Sequence, residues 1–371
     1  MVDLSERLKR MKEMVEQGKY FTINRGRQYG KTTTLYMLQR YLESEYIVIS
    51  LDFQAIGSAD FASEIDFSRA FAILFSEAYF SQDLSENSGC SRLVQRIFEI
   101  AEAEEKTITL FKLFRWIREI CSLSEKPMVL FIDEVDSAAN NQVFLGFLAQ
   151  LRLHYLERKK NKAYKTFQSV ILAGVTDVKN LKRRVRPDEK HKVNSPWNIA
   201  EEFTIDMSFS TEEIAGMLSE YEEEHHTGMD ITRLAAEIRD YTGGYPFLVC
   251  RICQILDSEL AGKARFPELS DTWTIEGVNE AVREILFETN TLFDSLMGKL
   301  YSNEELCKTL KNILFGGEAI SYDPDKPAVS DARMYGFIRV ENERIVIANR
   351  IFETRLYNYF LGEREIISGW M

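Results

Sequence analysis

Tyr20-Phe21-Thr22-Ile23 followed by Asn24-Arg25-Gly26-Arg27-Gln28-Tyr29-Gly30-Lys31-Thr32-Thr33-Thr34 is the stretch whose reading decides the fold. An apolar run leads into it and a helical pattern, Thr32 to about Leu42, leaves it. Strand, loop and helix in that order make a phosphate loop. Small residues let backbone N–H groups turn inward around anionic oxygens, and the helix N-terminus favours negative charge. Lys31 is expected to reach the β- and γ-phosphates of a nucleotide, and the Thr32 hydroxyl to ligate Mg2+. Arg25, Gly26, Arg27, Gln28, Tyr29, Gly30 and Thr33 complete the expected cradle. The usual spacing puts a glycine five residues before Gly30; Arg25 stands there, and Gly26 is displaced by one.

A second element lies further along. Met128-Val129-Leu130-Phe131-Ile132 is a compact apolar run suited to a buried parallel strand, and it ends in Asp133-Glu134. Carboxylates at the C-terminal edge of such a strand sit where open α/β sheets bind ligands. Asp133 is expected to hold the Mg2+ shell, and Glu134 to orient or deprotonate an attacking water.

The bulk numbers set limits around these two motifs. At 371 residues the chain should form two or three domains, and 45% hydrophobic and 12% aromatic residues exclude global disorder. A formal net charge of -12 argues against a protein that coats nucleic acid, although a local basic face could still bind it. The five cysteines lack the spacing of a disulfide framework and indicate a reduced, cytoplasmic setting. Cys250-Arg251-Ile252-Cys253 lies in an apolar helical run without a second half, so it reads as a pair of buried structural thiols. No apolar run approaches the roughly 18 residues that a membrane helix needs.

Between the motifs the pattern is strand, helix, strand, with Tyr46 to Phe53 as the next strand. Phe67, Phe71, Leu74, Phe75 and Ala78 make an aromatic stripe at helical spacing within 61–80, which reads as core. Helices are expected over 93–105, 110–120 and 141–158, then a strand Ser169 to Thr176 and a fifth strand Phe203 to Met207. Thr176 either senses the γ-phosphate or the attacking water from the same sheet edge as Asp133, or is an ordinary strand-end threonine. Arg158 to Lys165 is expected to be a solvated face at the opposite edge. Lys182, Arg183, Arg184 and Arg186 emerge on the nucleotide edge, where Arg183 or Arg184 could reach a phosphate in the same chain or a neighbour, or simply lie in a solvated loop.

From Ser210 the character becomes helical, and Gly243-Gly244-Tyr245-Pro246 breaks the pattern before a helix that Pro246 can start. The last lobe reads as helices, a hairpin around Glu341-Asn342-Glu343 and a final helix with Ile351, Phe352, Leu356, Tyr357 and Phe360. That is a winged-helix pattern.

Together with Val48-Ile49-Ser50-Leu51-Asp52-Phe53, Phe131 to Asp136, Asn194-Ser195-Pro196-Trp197-Asn198 and Asn349-Arg350-Ile351-Phe352, these motifs resemble the bacterial AAA-like P-loop ATPases of the STAND and archaeal-type ATPase group. The resemblance covers nearly the whole chain. It implies an α/β fold: an additional-strand (ASCE) P-loop NTPase with a parallel sheet core (1–207), a helical lid (208–288) and a C-terminal winged-helix domain (289–371). It further implies ATP as the nucleotide, Asp133 and Glu134 as metal and water carboxylates, and Tyr245 and Pro246 close to the nucleotide. An arginine at the start of the loop is common in such relatives. Many of them continue into a restriction-endonuclease-like nuclease domain; this sequence ends at Met371, which suggests an absent effector or an ATPase-only version.

Three functions fit. The first is a slow, ATP-driven switch that signals to a protein partner or effector, with nucleotide-dependent self-association open. The second is a DNA-associated ATPase using Arg333, Arg339, Arg344 and Arg350 of the winged helix, diluted by Asp331, Glu341 and Glu343. The third is a nucleotide-binding scaffold that hydrolyses nothing, against which the intact Asp133-Glu134 pair speaks.

Overall fold

Apolar and β-branched runs at four of the five strand positions build a parallel sheet whose central strands are buried on both faces. A computed structural model describes residues 2–82, 88–103, 108–138, 141–175, 197–203, 206–316 and 320–368, with 363–368 described by backbone alone. Helix α1 (Ser5–Glu16) precedes β1 (Tyr20–Asn24), which runs through the loop into α2 (Lys31–Leu42). There follow β2 (Ile47–Asp52), α3 (Glu64–Phe80), α4 (Gly89–Glu102), α5 (Leu110–Leu123), β3 (Met128–Asp133), α6 (Gln142–Lys160), β4 (Ser169–Gly174) and β5 (Glu201–Glu202). The sheet order is β2-β3-β4-β1-β5, all parallel. Strand β4 therefore lies between β1 and β3, the additional-strand arrangement that the resemblance implied. Every residue of β3 and β4 is buried.

Two compact units are formed: Ser5–Asn24 with Lys31–Ile205, and Met1–Leu4 and Arg25–Gly30 with Asp206–Met371. In the first, the sheet unit, the aromatic stripe is core as expected. Phe67, Phe71 and Phe75 are at most 2% exposed, and Phe147 meets Phe71 at 4.9 Å and Phe67 at 5.5 Å between ring centroids. Offset and edge-to-face ring pairs of this kind add to the burial of area itself.

Two expectations for the sheet unit need correction. The fifth strand is the pair Glu201–Glu202, bridged to Phe21 and Thr22, and not Phe203 to Met207. Phe203 extends the pairing by one N–H bond to the Thr22 carbonyl at 2.8 Å, and its ring packs 6.3 Å from that of Phe21. Asp206 and Met207 lie outside any strand, while 204–205 fall outside the described residues. As an edge strand β5 has one neighbour, β1, to register it. Arg158, read as part of a solvated face, is instead a clamp. Its guanidinium donates to the carbonyls of Phe167, Gln168 and Gly18 and lies 5.5 Å from the centroids of Tyr20 and Tyr155. Lys159, Lys160, Lys162 and Lys165 are exposed.

In the second, helical unit, Ser210 caps α7 (Thr211–His225) through a reciprocal pair with Glu213, where the sequence turns helical. Helices α8 (Ile231–Thr242), α9 (Pro246–Gln254), α10 (Leu269–Thr272) and α11 (Ile275–Phe287) follow. Gly243 ends α8 in the left-handed region and Pro246 opens α9 at its first position, so the Gly-Gly-Tyr-Pro break is a turn between two helices. Next come α12 (Thr291–Ser302), α13 (Glu304–Phe315), α14 (Pro327–Met334), the antiparallel hairpin β6 (Ile338–Glu341) and β7 (Arg344–Ile347), and α15 (Arg350–Ser368). Asn342 and Glu343 take φ of 48° and 64°, as a two-residue hairpin turn requires. All these elements share one hydrophobic core, from Ile214 to Phe360. Cys250 is exposed and Cys253 half-buried on α9, so they are not the buried pair expected; Cys90 and Cys121 are the buried thiols.

Candidate functional site

In the sheet unit, the strand pairing sets Asn24 beside Gly174 and Asp52 beside Asp133, which aligns the C-terminal tips of β1, β4, β3 and β2 along one edge. Lys31 and Thr32 open α2 immediately after the loop. Lys31 is buried to 6% exposure, while Thr32 and Thr33 are exposed. The Thr32 hydroxyl donates to Asp133 Oδ2 at 2.6 Å, joining the two residues expected to share a metal. The other Asp133 oxygen accepts the Glu134 N–H at 2.9 Å. Both carboxylate oxygens are thus fixed by named partners.

Glu134 follows with φ 51° and ψ 42°, the left-handed region. A residue with a Cβ is costly there, and such strain collects at functional positions. The conformation turns the chain out of β3 into the short 3₁₀ turn Val135–Ser137. Asp136 in that turn accepts the Val175 N–H through Oδ2 at 2.7 Å, tying it to the end of β4. Gly174 permits the approach, because a Cβ there would lie 2.7 Å from Val135 Cγ2 and 3.1 Å from Asp136 Oδ2. Asp136 and Gly174 were not singled out as site residues. The signal for Gly174 was present, since a glycine inside a strand pattern marks a close approach. Thr176, Arg183 and Arg184 lie outside the described residues.

In the helical unit, Arg25–Gly30 is held by residues far away in sequence. Tyr245, expected beside the nucleotide, is 1% exposed and its hydroxyl donates to the Arg27 carbonyl. Its ring packs 4.3 Å from Tyr29 and 5.4 Å from Phe352. Burial and the neighbouring Tyr29 push its hydroxyl well above the ordinary tyrosine range, so it stays a proton donor at any physiological pH. The Tyr29 hydroxyl meets Ser208 Oγ at 3.1 Å, and Gln28 Nε2 donates to Thr291 Oγ1 at 3.0 Å. A Cβ on Gly26 would fall 2.9 Å from the Tyr335 carbonyl oxygen and 3.3 Å from the Tyr245 hydroxyl, so the displaced glycine is a packing requirement. Gly30 is different: space around it is open, and its φ of 74° is what demands glycine. Gln28 also has positive φ, 56°, and Arg27 and Gln28 are exposed. Pro246 is buried at the start of α9. Ser208, Thr291 and Tyr335 carried no sequence signal, because each meets the loop across a long stretch of chain.

Among the described residues no cluster of three or more His, Cys, Asp and Glu side chains could hold a metal ion. The oxygens of Thr32 and Asp133 nevertheless fit a hard divalent cation that takes its remaining ligands from water and phosphate. No helix among the described residues is long and apolar enough to cross a membrane.

This sheet order, with a phosphate loop after β1 and paired carboxylates after β3, is that of an AAA-like P-loop ATPase fold. The chain belongs to the AAA-like domain family, whose model matches residues 5–361. Among solved structures it is similar to the Walker-type ATPase PABY2304 of Pyrococcus abyssi, with a TM-score of 0.60, 14% identity and 96% of each chain covered. The ORC2 protein of Aeropyrum pernix, in ADPNP-ADP complexes, gives 0.48 at 11% identity, covering 97% of this chain and 93% of that one. Cdc6p of Pyrobaculum aerophilum gives 0.40 at 13%, covering 97% and 94%. No curated protein matches the sequence.

Proposed function

We propose that this chain is a Mg2+-dependent ATPase of slow turnover that works as a nucleotide-controlled switch on a protein partner or effector. The hydrogen bond between Thr32 and Asp133 carries the reading, since it joins the two oxygen donors that a nucleotide-bound cation needs. Bound there, Mg2+ would neutralise developing charge on the phosphates. Lys31 supplies a fixed positive charge at the start of α2, and Glu134 orients or deprotonates water. The backbone of Arg25–Gly30 and the side chain of Thr33 line the phosphates. Thr176, Arg183 and Arg184 keep their proposed roles as sensor and finger, the latter within the chain or from a neighbouring copy.

The switch part rests on where the loop belongs. Arg25–Gly30 clusters with the unit that contains the lid (208–288) and the last lobe (289–371), so a ligand on the loop contacts that unit directly. The order of three helices, a hairpin and a final helix supports reading the last lobe as a winged helix. Three of the four arginines named there for DNA are engaged within the chain, which favours a protein partner over duplex DNA. Arg333 donates to the Tyr322 hydroxyl, Arg339 pairs with Glu341 and the Ala348 carbonyl, and Arg350 pairs with Asp240. The test is hydrogen exchange of the Glu134→Gln chain with Mg-ATP against native chain with Mg-ADP. The switch predicts a change in protection across 327–350; identical protection in both states would sink it.

A further inference from the structure

The loop must present backbone N–H groups to an anion, and something must choose which way each peptide faces. In a trans peptide the carbonyl and the following N–H point in opposite directions, so a group that holds one aims the other. No cis peptide is present among the described residues, and the Arg27 carbonyl is held by the buried Tyr245 hydroxyl. The Gln28 N–H is thereby turned to the face of the loop away from Tyr245. Gln28 and Gly30 both have positive φ, the alternation that curls successive N–H groups into an anion nest. The Gln28 side chain is tied back to Thr291, which keeps it from folding over that face.

We propose that Tyr245 is a positioning residue for the phosphate loop: by gripping the Arg27 carbonyl it aims the Gln28 N–H at a nucleotide phosphate, so phosphate affinity depends on the Gly243-Gly244-Tyr245-Pro246 turn being seated. Gly26 lets the grip close, since any side chain there would press on both the Tyr335 carbonyl and the Tyr245 hydroxyl. Tyr245 thus acts on the ligand through the loop and not by touching it, in keeping with its burial. The proposal deepens the ATPase reading and rests on it.

Tyr245→Phe removes one oxygen and keeps the ring between Tyr29 and Phe352. Binding of Mg-ATP and Mg-ADP to native, Tyr245→Phe and Lys31→Ala chains is measured by calorimetry, with kcat, KM and the nucleotide-free melting temperature alongside. Tyr245→Phe should weaken both nucleotides alike by about tenfold, the size of one lost hydrogen bond. KM should rise by a similar factor while kcat stays within about twofold and the nucleotide-free melting temperature falls by no more than a few degrees, the share of the same lost bond. Native affinity in Tyr245→Phe, with binding lost in Lys31→Ala, overturns the positioning role and leaves the nucleotide site standing. Native affinity in Lys31→Ala removes the site itself, and the proposal with it. A fall in kcat at unchanged KM also overturns it. If Tyr245→Phe does not fold, Thr291→Val takes its place: it frees the Gln28 side chain at an exposed position, and roughly threefold weaker binding supports the aimed loop, while unchanged binding counts against it.

Discussion

Glu134 carries a side chain at φ 51°, where glycine would be easier. The usual order of stability at an ordinary position, alanine above glycine, should therefore reverse. Glu134→Gly is expected to be more stable than Glu134→Ala by about 1 kcal/mol in denaturant unfolding, with turnover lost in both. The ordinary order would show that Glu134 is not held in the left-handed region. Gly174 makes the opposite point on a neighbouring strand. Gly174→Ala adds a methyl 2.7 Å from Val135 Cγ2, in the turn that Asp136 ties to Val175, and should cost about 1–3 kcal/mol. A melting temperature equal to native would refute that packing.

At the level of elements, the strands were legible because each is a short apolar run whose burial follows from its composition. Met128–Asp133 needed no tertiary knowledge, and neither did the start of the strand expected over Ser169 to Thr176, which ends at Gly174. What escaped was whatever depends on groups meeting across the chain. Arg158 looks like its lysine neighbours in sequence, yet the carbonyls of Phe167, Gln168 and Gly18 converge on it. Tyr245 stood out in the sequence as part of a turn before a proline, while its bond to Arg27, 218 residues away, did not. The register of β5 likewise depends on β1, a partner far away in sequence. The clamp gives a checkable consequence. Arg158→Ala leaves three carbonyls without their donor and should destabilise the chain by roughly 2–4 kcal/mol, and Arg158→Lys should recover less than half, because an ammonium lacks the planar fork. Full recovery by lysine would mean that charge alone matters there.

For the whole molecule, the two units divide the chain inside the phosphate loop, between Gly30 and Lys31. Arg25–Gly30 is packed by residues of the helical unit, and Lys31 and Thr32 begin a helix of the sheet unit. Duplex DNA is the alternative readout. With a net charge of -12 and Arg333, Arg339 and Arg350 engaged within the chain, binding to duplex should stay weak at physiological salt. Tight binding that falls steeply with salt would instead make DNA the partner.

Steady-state ATP hydrolysis, followed in Mg2+ across a range of protein concentrations for native, Lys31→Ala and Glu134→Gln chains, tests the central claim most directly. The account predicts slow native turnover that is lost in both variants, with Glu134→Gln still binding ATP and Lys31→Ala not. Specific activity that rises with concentration would assign the finger arginine to a neighbouring copy. A native chain that neither binds nor hydrolyses ATP, or a Glu134→Gln chain that turns over at the native rate, would contradict it.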